Sequence, residues 1–361
     1  MTQEKEQKDL MLRNEDKLLL LCARTQINNG IKNQIISIIQ QEIDWDYLLK
    51  KSYKHKLTSL LYWQLNNICP DSPPENVMEH LKTFFHENAH KNLLFMGELL
   101  RILELFKSHG ITGIPYKGPV LAIQTYGNLA FREFDDLDIY VNKKDVVRAK
   151  KILLSEGYQT KFSLKDNQEE KYLKSQREYK FTNPHYNINL EIQWKFPVLS
   201  YTFPIHSDFC GQLIKKSISG HKIVGPNNEN MLLILCIHNA GHFWSRISWI
   251  CDIAEFITAN EICWEKIIEK TAELRIERIL FLNLLLARDF LGINIPNQIS
   301  SKFESDSTLE KIIDTIKKRI FLNSPEVPNT LQDIILRLVI RENNIDRIKD
   351  FFRLIIKPLE N

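Results

Sequence analysis

The chain has 361 residues, 43% of them hydrophobic and 26% charged, a composition that excludes a disordered or low-complexity protein and gives room for two or three subdomains. Lys and Arg number 48 against 45 Asp and Glu, a net charge of +3, too even to argue for nucleic-acid binding. Cys22, Cys69, Cys210, Cys236, Cys251 and Cys263 form no CxxC pair and have mostly apolar neighbours, which argues against a disulfide framework or zinc ribbon and for reduced thiols in a cytoplasmic protein.

The segment Met1 to Asp9 is charged throughout, and the apolar run Leu18 to Cys22 is too short for a signal sequence or a span, so no membrane partner is expected. Residues 14 to 110 read as helices. Apolar residues at helical spacing run from Ile43 through Leu48 and Leu49 to Leu57, Leu61 and Leu65, and again from Asn76 to Ser108, with Pro70, Pro73 and Pro74 breaking the two stretches. From Ile111 to Pro197 the period changes. Ile111 to Tyr116 is short and β-like, Gly118-Pro119 opens a helix, and Asp136 to Val141 is a strand. Asn142 caps a helix that Gly157 ends. A hairpin follows, with arms Tyr179 to Thr182 and Ile188 to Trp194 around Asn183-Pro184. Beyond it, Met231 to Ile257 and Ile279 to Leu291 are strongly apolar and helical, and the basic tail residues between Lys317 and Lys357 read as a solvated helical face. The fold class is therefore α+β: a small mixed β-sheet core over 111–197, flanked by an N-terminal helical region (1–110) and a C-terminal one (198–361).

The chemistry concentrates at Asp136-Leu137-Asp138-Ile139-Tyr140-Val141. Alternate residues of a strand face opposite ways, so Asp136 and Asp138 share one face while Leu137, Ile139 and Val141 enter the core. Two carboxylates held about 7 Å apart along a strand need a compensating cation, and a divalent metal supplies it. Glu191 lies on the polar face of a later strand, where it completes the carboxylate set of a two-ion phosphoryl-transfer site and orients or accepts the proton of an acceptor hydroxyl. At the Lys117-Gly118-Pro119 turn, glycine allows close approach to a ligand, and the amides of Val120 and Leu121 are expected to face an anion. Lys117 adds a point charge for a triphosphate. Arg132 either grips a phosphate oxygen or pairs with Glu133 or Asp135. His238 and His242, four residues apart, either line the cleft and contact base or acceptor, or serve as structural hydrogen-bonders; zinc would need a third ligand.

The order strand, glycine turn, helix, Asp-x-Asp strand and later carboxylate resembles the DNA polymerase β-like nucleotidyltransferases. More narrowly, Tyr116-Lys117-Gly118, Tyr126-Gly127-Asn128, Arg132 with the acidic strand, Leu190-Glu191-Ile192-Gln193-Trp194 and His238-Asn239-Ala240-Gly241-His242 are similar to the bacterial family of uncharacterised nucleotidyltransferases, over roughly residues 15 to 295. The resemblance implies catalytic and metal-binding roles for Asp136, Asp138 and Glu191, with two Mg²⁺ ions as cofactor and an NTP as donor. It also implies nucleotide contacts from Lys117, Gly118, Arg132, His238 and His242. The chain departs from the superfamily's usual Gly-Gly or Gly-Ser at Gly118-Pro119, and from the narrower family's Asp-Leu-His-Trp at Glu191-Ile192-Gln193-Trp194. The expected activity is transfer of a nucleoside monophosphate to a hydroxyl or phosphate of an acceptor; a small molecule, a sugar, a protein side chain and an RNA end are all compatible, a nucleic acid being the least expected. The alternative is a non-catalytic nucleotide-binding or protein-interaction module with a degenerate site.

Overall fold

The computed structural model describes residues 12–161, 164, 166–195, 213–302, 306–322, 335–336, 338–341 and 347. The charged segment Met1 to Asp9, Cys210, and the tail residues Lys349, Arg353 and Lys357 lie outside the described residues; the other five cysteines are free thiols. No helix among the described residues is long and apolar enough to cross a membrane.

Among the described residues five helices come first: α1 (Asn14–Cys22), α2 (Asn29–Ile39), α3 (Trp45–His55), α4 (Thr58–Ile68) and α5 (Glu75–Ser108). The Asp44 side chain accepts from the Tyr47 amide and so caps α3. Lys56, at φ +53°, ends it, dividing in two the apolar spacing that runs on from Leu49 to Leu65. The 34 residues of α5 extend about 50 Å and serve two cores. Val77, Leu81 and Phe85 pack with the N-terminal helices, whereas Phe95, Leu99, Ile102 and Phe106 pack under the sheet.

The sheet contains β1 (Gly113–Pro115), β2 (Asp136–Val141), β3 (Gln159–Thr160), β4 (Glu178–Asn183) and β5 (Ile188–Gln193), in the order β1-β2-β5-β4-β3. Only the central pair β2 and β5 is parallel; every other pair is antiparallel. Between these strands run α6 (Gly118–Tyr126), α7 (Val146–Ser155) and α8 (Asp166–Ser175). Leu137, Ile139 and Val141 of β2 and Leu190 and Ile192 of β5 are fully buried against α5 and α7, the face that strand alternation predicts.

A hairpin follows, β6 (Leu213–Ile218) with β7 (His221–Pro226), lying within the stretch read as helical. Ser219 and Gly220 both have positive φ, +49° and +81°, as a two-residue type I′ turn requires. Then come α9 (Asn228–Gly241), α10 (Ile247–Ala259), α11 (Trp264–Leu274), α12 (Glu277–Leu291), α13 (Asn297–Ser300) and α14 (Ser307–Phe321). The apolar stretch Met231 to Ile257 is two helices, because Phe243 and Trp244 adopt positive φ between them. Leu18, Leu48 and Leu61 share one core with Leu232, Ile250, Leu282 and Ile312, so the two flanking helical regions pack on each other.

Candidate active site

The parallel pairing of β2 with β5 sets the site. Asp136 is the register partner of Asn189, Asp138 of Glu191, and Tyr140 of Gln193. Paired residues on neighbouring strands, about 4.8 Å apart, face the same side, which brings Asp136, Asp138 and Glu191 onto the face opposite the apolar one. Asp138 is deepest, at 4% exposure.

A network of donors holds these carboxylates. Gln193 Nε2 donates to Asp138 Oδ1 at 2.8 Å and to Glu191 Oε2 at 3.0 Å, so the two acids converge on one nitrogen. The Tyr116 hydroxyl donates to Gln193 Oε1, which fixes the direction of that amide. Lys117 Nζ lies 3.5 Å from Asp138 Oδ2, and Lys180 Nζ donates to Glu191 Oε1 at 2.7 Å. Burial pushes the Asp138 carboxyl up to about 7; the Lys117 ammonium opposes this, and the charges of Asp136 and Glu191 add to it. Burial also opposes ionisation of Glu191, but Lys180, Lys117 and the Gln193 amide outweigh it and hold that carboxyl below the usual glutamate range.

Gly118 touches the acidic strand directly. Its φ is +52°, and a Cβ there would lie 3.2 Å from the Asp136 carbonyl oxygen, so glycine is required by both conformation and space. The expectation for the helix amides is not met. Val120 and Leu121 both donate to the Lys117 carbonyl, at 3.2 and 3.5 Å, and Pro119 has no amide hydrogen, so these three positions offer an anion little.

Arg132 pairs with neither Glu133 nor Asp135. Its Nε and Nη2 donate to Asp252 of α10 at 2.8 and 2.9 Å. Glu133 instead accepts from the Ser59 amide in the first turn of α4, at 2.9 Å. Asp135 pairs with Lys56 and Lys91. Asn88 and Asn92 of α5 donate to the carbonyls of Leu129, Ala130 and Arg132. The loop leading into β2 is thus gripped by the N-terminal helices on one side and by α10 on the other.

His242 lies one residue past the end of α9, yet its ring packs on His238 with centroids 4.6 Å apart, and both rings meet Trp249 at 4.9 and 5.2 Å. Burial, then Lys117, the other histidine and Arg132, pushes the His238 imidazole well below its ordinary range. His242 is exposed, with its ring against His238 and Trp249. Its imidazole falls to about 4, by burial and then by the charges of Lys117, Arg177 and Arg246. Asp252, an acid of the neighbouring helix α10, is held by Arg132 and Tyr126 and so is no third ligand to the two histidines. Among the described residues no three His, Cys, Asp or Glu side chains already form a metal-binding group.

Tyr116 and Gln193 entered only as motif residues with no contact assigned, while Arg177, Lys180 and the pairing of Asp252 with Arg132 were missed. Lys180 was findable: a four-residue turn at 184–187 makes it the cross-strand partner of Glu191. Asp252 is 120 residues from Arg132, and no local pattern announces that pairing.

The family model for uncharacterised nucleotidyltransferases matches residues 41–292, well over half of the chain. The chain belongs to that family. Membership makes it a nucleotidyltransferase, an enzyme of the transferase class, and the matched span covers the acidic strands and also α9, α10 and α12. No curated protein matches this nucleotidyltransferase.

Proposed function

We propose that this nucleotidyltransferase moves a nucleoside monophosphate from an NTP to a hydroxyl or phosphate oxygen of an acceptor, with Asp136, Asp138 and Glu191 as the reacting centre. The observation that carries this reading is the in-register pairing of Asp138 with Glu191 on parallel strands, beside the Gly118 turn that packs on Asp136. The acceptor oxygen attacks the α-phosphorus, the bond from that phosphorus to the bridging oxygen breaks, and pyrophosphate leaves. When the acceptor is a hydroxyl, its proton passes to Glu191 or to water. Lys117 and Arg132 bind the phosphates, and His238 and His242 line the cleft for base or acceptor.

The donor set fits Mg²⁺. It consists of hard carboxylate oxygens, two of which already converge on a single nitrogen within 3.0 Å. Bound there, Mg²⁺ would neutralise charge on the phosphates. Asp136, Asp138 and Glu191 would hold it, with Gln193, Lys117 and Lys180 giving up their contacts to the acids.

One observation favours a second reading, a nucleotide-binding module without turnover: Asp138 and Glu191 are already satisfied by Gln193, Lys117 and Lys180. A single experiment separates the two. The purified chain is incubated with each labelled NTP, Mg²⁺ and a cell extract, and pyrophosphate release and label transfer are followed alongside calorimetric NTP binding. Transfer that disappears in Asp138→Asn supports the transferase; NTP binding without release supports the module; full activity in Asp138→Asn removes the assignment of these carboxylates.

A further inference from the structure

Arg132 is held by Asp252 of α10 through two parallel hydrogen bonds, from Nε and Nη2. Its side chain is 10% exposed and that of Asp252 3%. The Tyr126 hydroxyl, from the end of α6, donates to the same Asp252 oxygen that Arg132 Nε binds, at 2.7 Å. The third guanidinium nitrogen, Nη1, is buried and has no hydrogen-bond partner among the described residues. Nε and Nη2 form one edge of the planar group, so with both committed to Asp252 the hydrogens of Nη1 point elsewhere. A buried donor without an acceptor is costly, and an unfilled donor of a fixed cation suits an anion that arrives later.

The surroundings indicate which anion. The Arg132 cation is felt by Asp136 on the acidic strand and by His238 of α9. Without Asp252, the nearby carboxylate of Asp136 would attract the guanidinium and set it in competition with a metal ion. Asp252 prevents this by satisfying two of the three nitrogens, leaving Asp136 available and Nη1 without an acceptor.

We propose that Asp252, backed by Tyr126, is a positioning residue that locks Arg132 with Nη1 presented to a phosphate oxygen of the bound NTP, making α10 a working part of the active site. This rests on the nucleotidyltransferase reading above. It assigns the C-terminal helices a role in gripping the triphosphate, beyond covering the sheet.

The test measures binding of NTP and of the matching nucleoside to the full chain by calorimetry with Mg²⁺, together with the Mg²⁺ dependence of NTP binding. The informative variant is Arg132→Met with Asp252→Leu, because replacing a buried ion pair with apolar groups of similar volume commonly preserves folding. The expected result is a folded protein whose NTP affinity falls by roughly tenfold to a hundredfold, as for loss of one hydrogen bond between charged groups, with nucleoside affinity unchanged. Asp252→Asn is expected to weaken NTP binding and to raise the Mg²⁺ concentration required, since Arg132 is then free to turn onto Asp136. Tyr126→Phe leaves both charges in place and is the fallback if the others do not fold; its expected effect is a smaller loss in the same direction. Wild-type NTP affinity in the folded double variant, or in Tyr126→Phe if it alone folds, overturns the positioning role and leaves the transferase reading standing. A wild-type chain that binds no NTP overturns both.

Discussion

The two faces of the β2–β5 pair differ in what they contribute. On one, Leu137, Ile139, Val141, Leu190 and Ile192 are 0% exposed and pack on α5 and α7 without a polar atom among them. On the other, Tyr116, Lys117, Asp138, Lys180, Glu191 and Gln193 contact one another through hydrogen bonds and ion pairs. Apolar burial gives large net stability, whereas buried charges that satisfy each other come close to balancing their own desolvation. Stability and chemistry are therefore separable across the thickness of one sheet, and substitutions on the two faces have different signatures.

The largest stability effect belongs to the apolar face. Leu190→Ala is expected to cost about 2–5 kcal/mol by chemical denaturation, with turnover per folded molecule retained; a variant of unchanged stability that loses turnover breaks the comparison. Gly118→Ala comes next, at the point where the Lys117-Gly118-Pro119 turn meets β2. A left-handed alanine costs about 1–2 kcal/mol, and its Cβ would press on the Asp136 carbonyl, so lower stability and lower turnover should appear together. Full turnover in that variant would separate the turn from the positioning of Asp136. The smallest effect on folding is expected from Lys180→Met. Lys180 is 61% exposed in its pair with Glu191, so stability should change by less than about 1 kcal/mol. On the proposed function, removing this competing cation should lower the Mg²⁺ concentration that half-saturates turnover; an unchanged or higher requirement counts against Glu191 as a ligand.

Much of the local framework was legible in the sequence. The period-2 alternation of Asp136 to Val141 gave the acidic strand and its inward face, Pro74 bounded α5, and Gly118-Pro119 marked the start of α6. The register that sets Asp138 opposite Glu191 was not legible, because it depends on a parallel pairing across 52 intervening positions of helix and hairpin. The hairpin β6–β7 escaped because its strands carry Lys215, Lys216 and Lys222, which dilute the alternation and leave only Ser219-Gly220 as a turn signal. Arg132 looked toward its sequence neighbours for a partner, but Glu133 and Asp135 are engaged by the N-terminal helices, and its counter-ion arrives from α10.

The shared helical core has a consequence for biosynthesis. Lys51 Nζ donates to the carbonyl of Ile320 at 3.1 Å, and Arg24 Nη1 to that of Leu291 at 3.1 Å. Helices α1 and α3 and the turn at Arg24 are thus covered by α12 and α14, which are synthesised later. Translating the stretch from Ile68 to Glu277 takes on the order of 10–40 s at typical elongation rates, during which Leu18, Leu48 and Leu61 lack their final neighbours. Chaperone depletion should therefore lower the yield of soluble nascent chain far more than it impairs protein that has already folded.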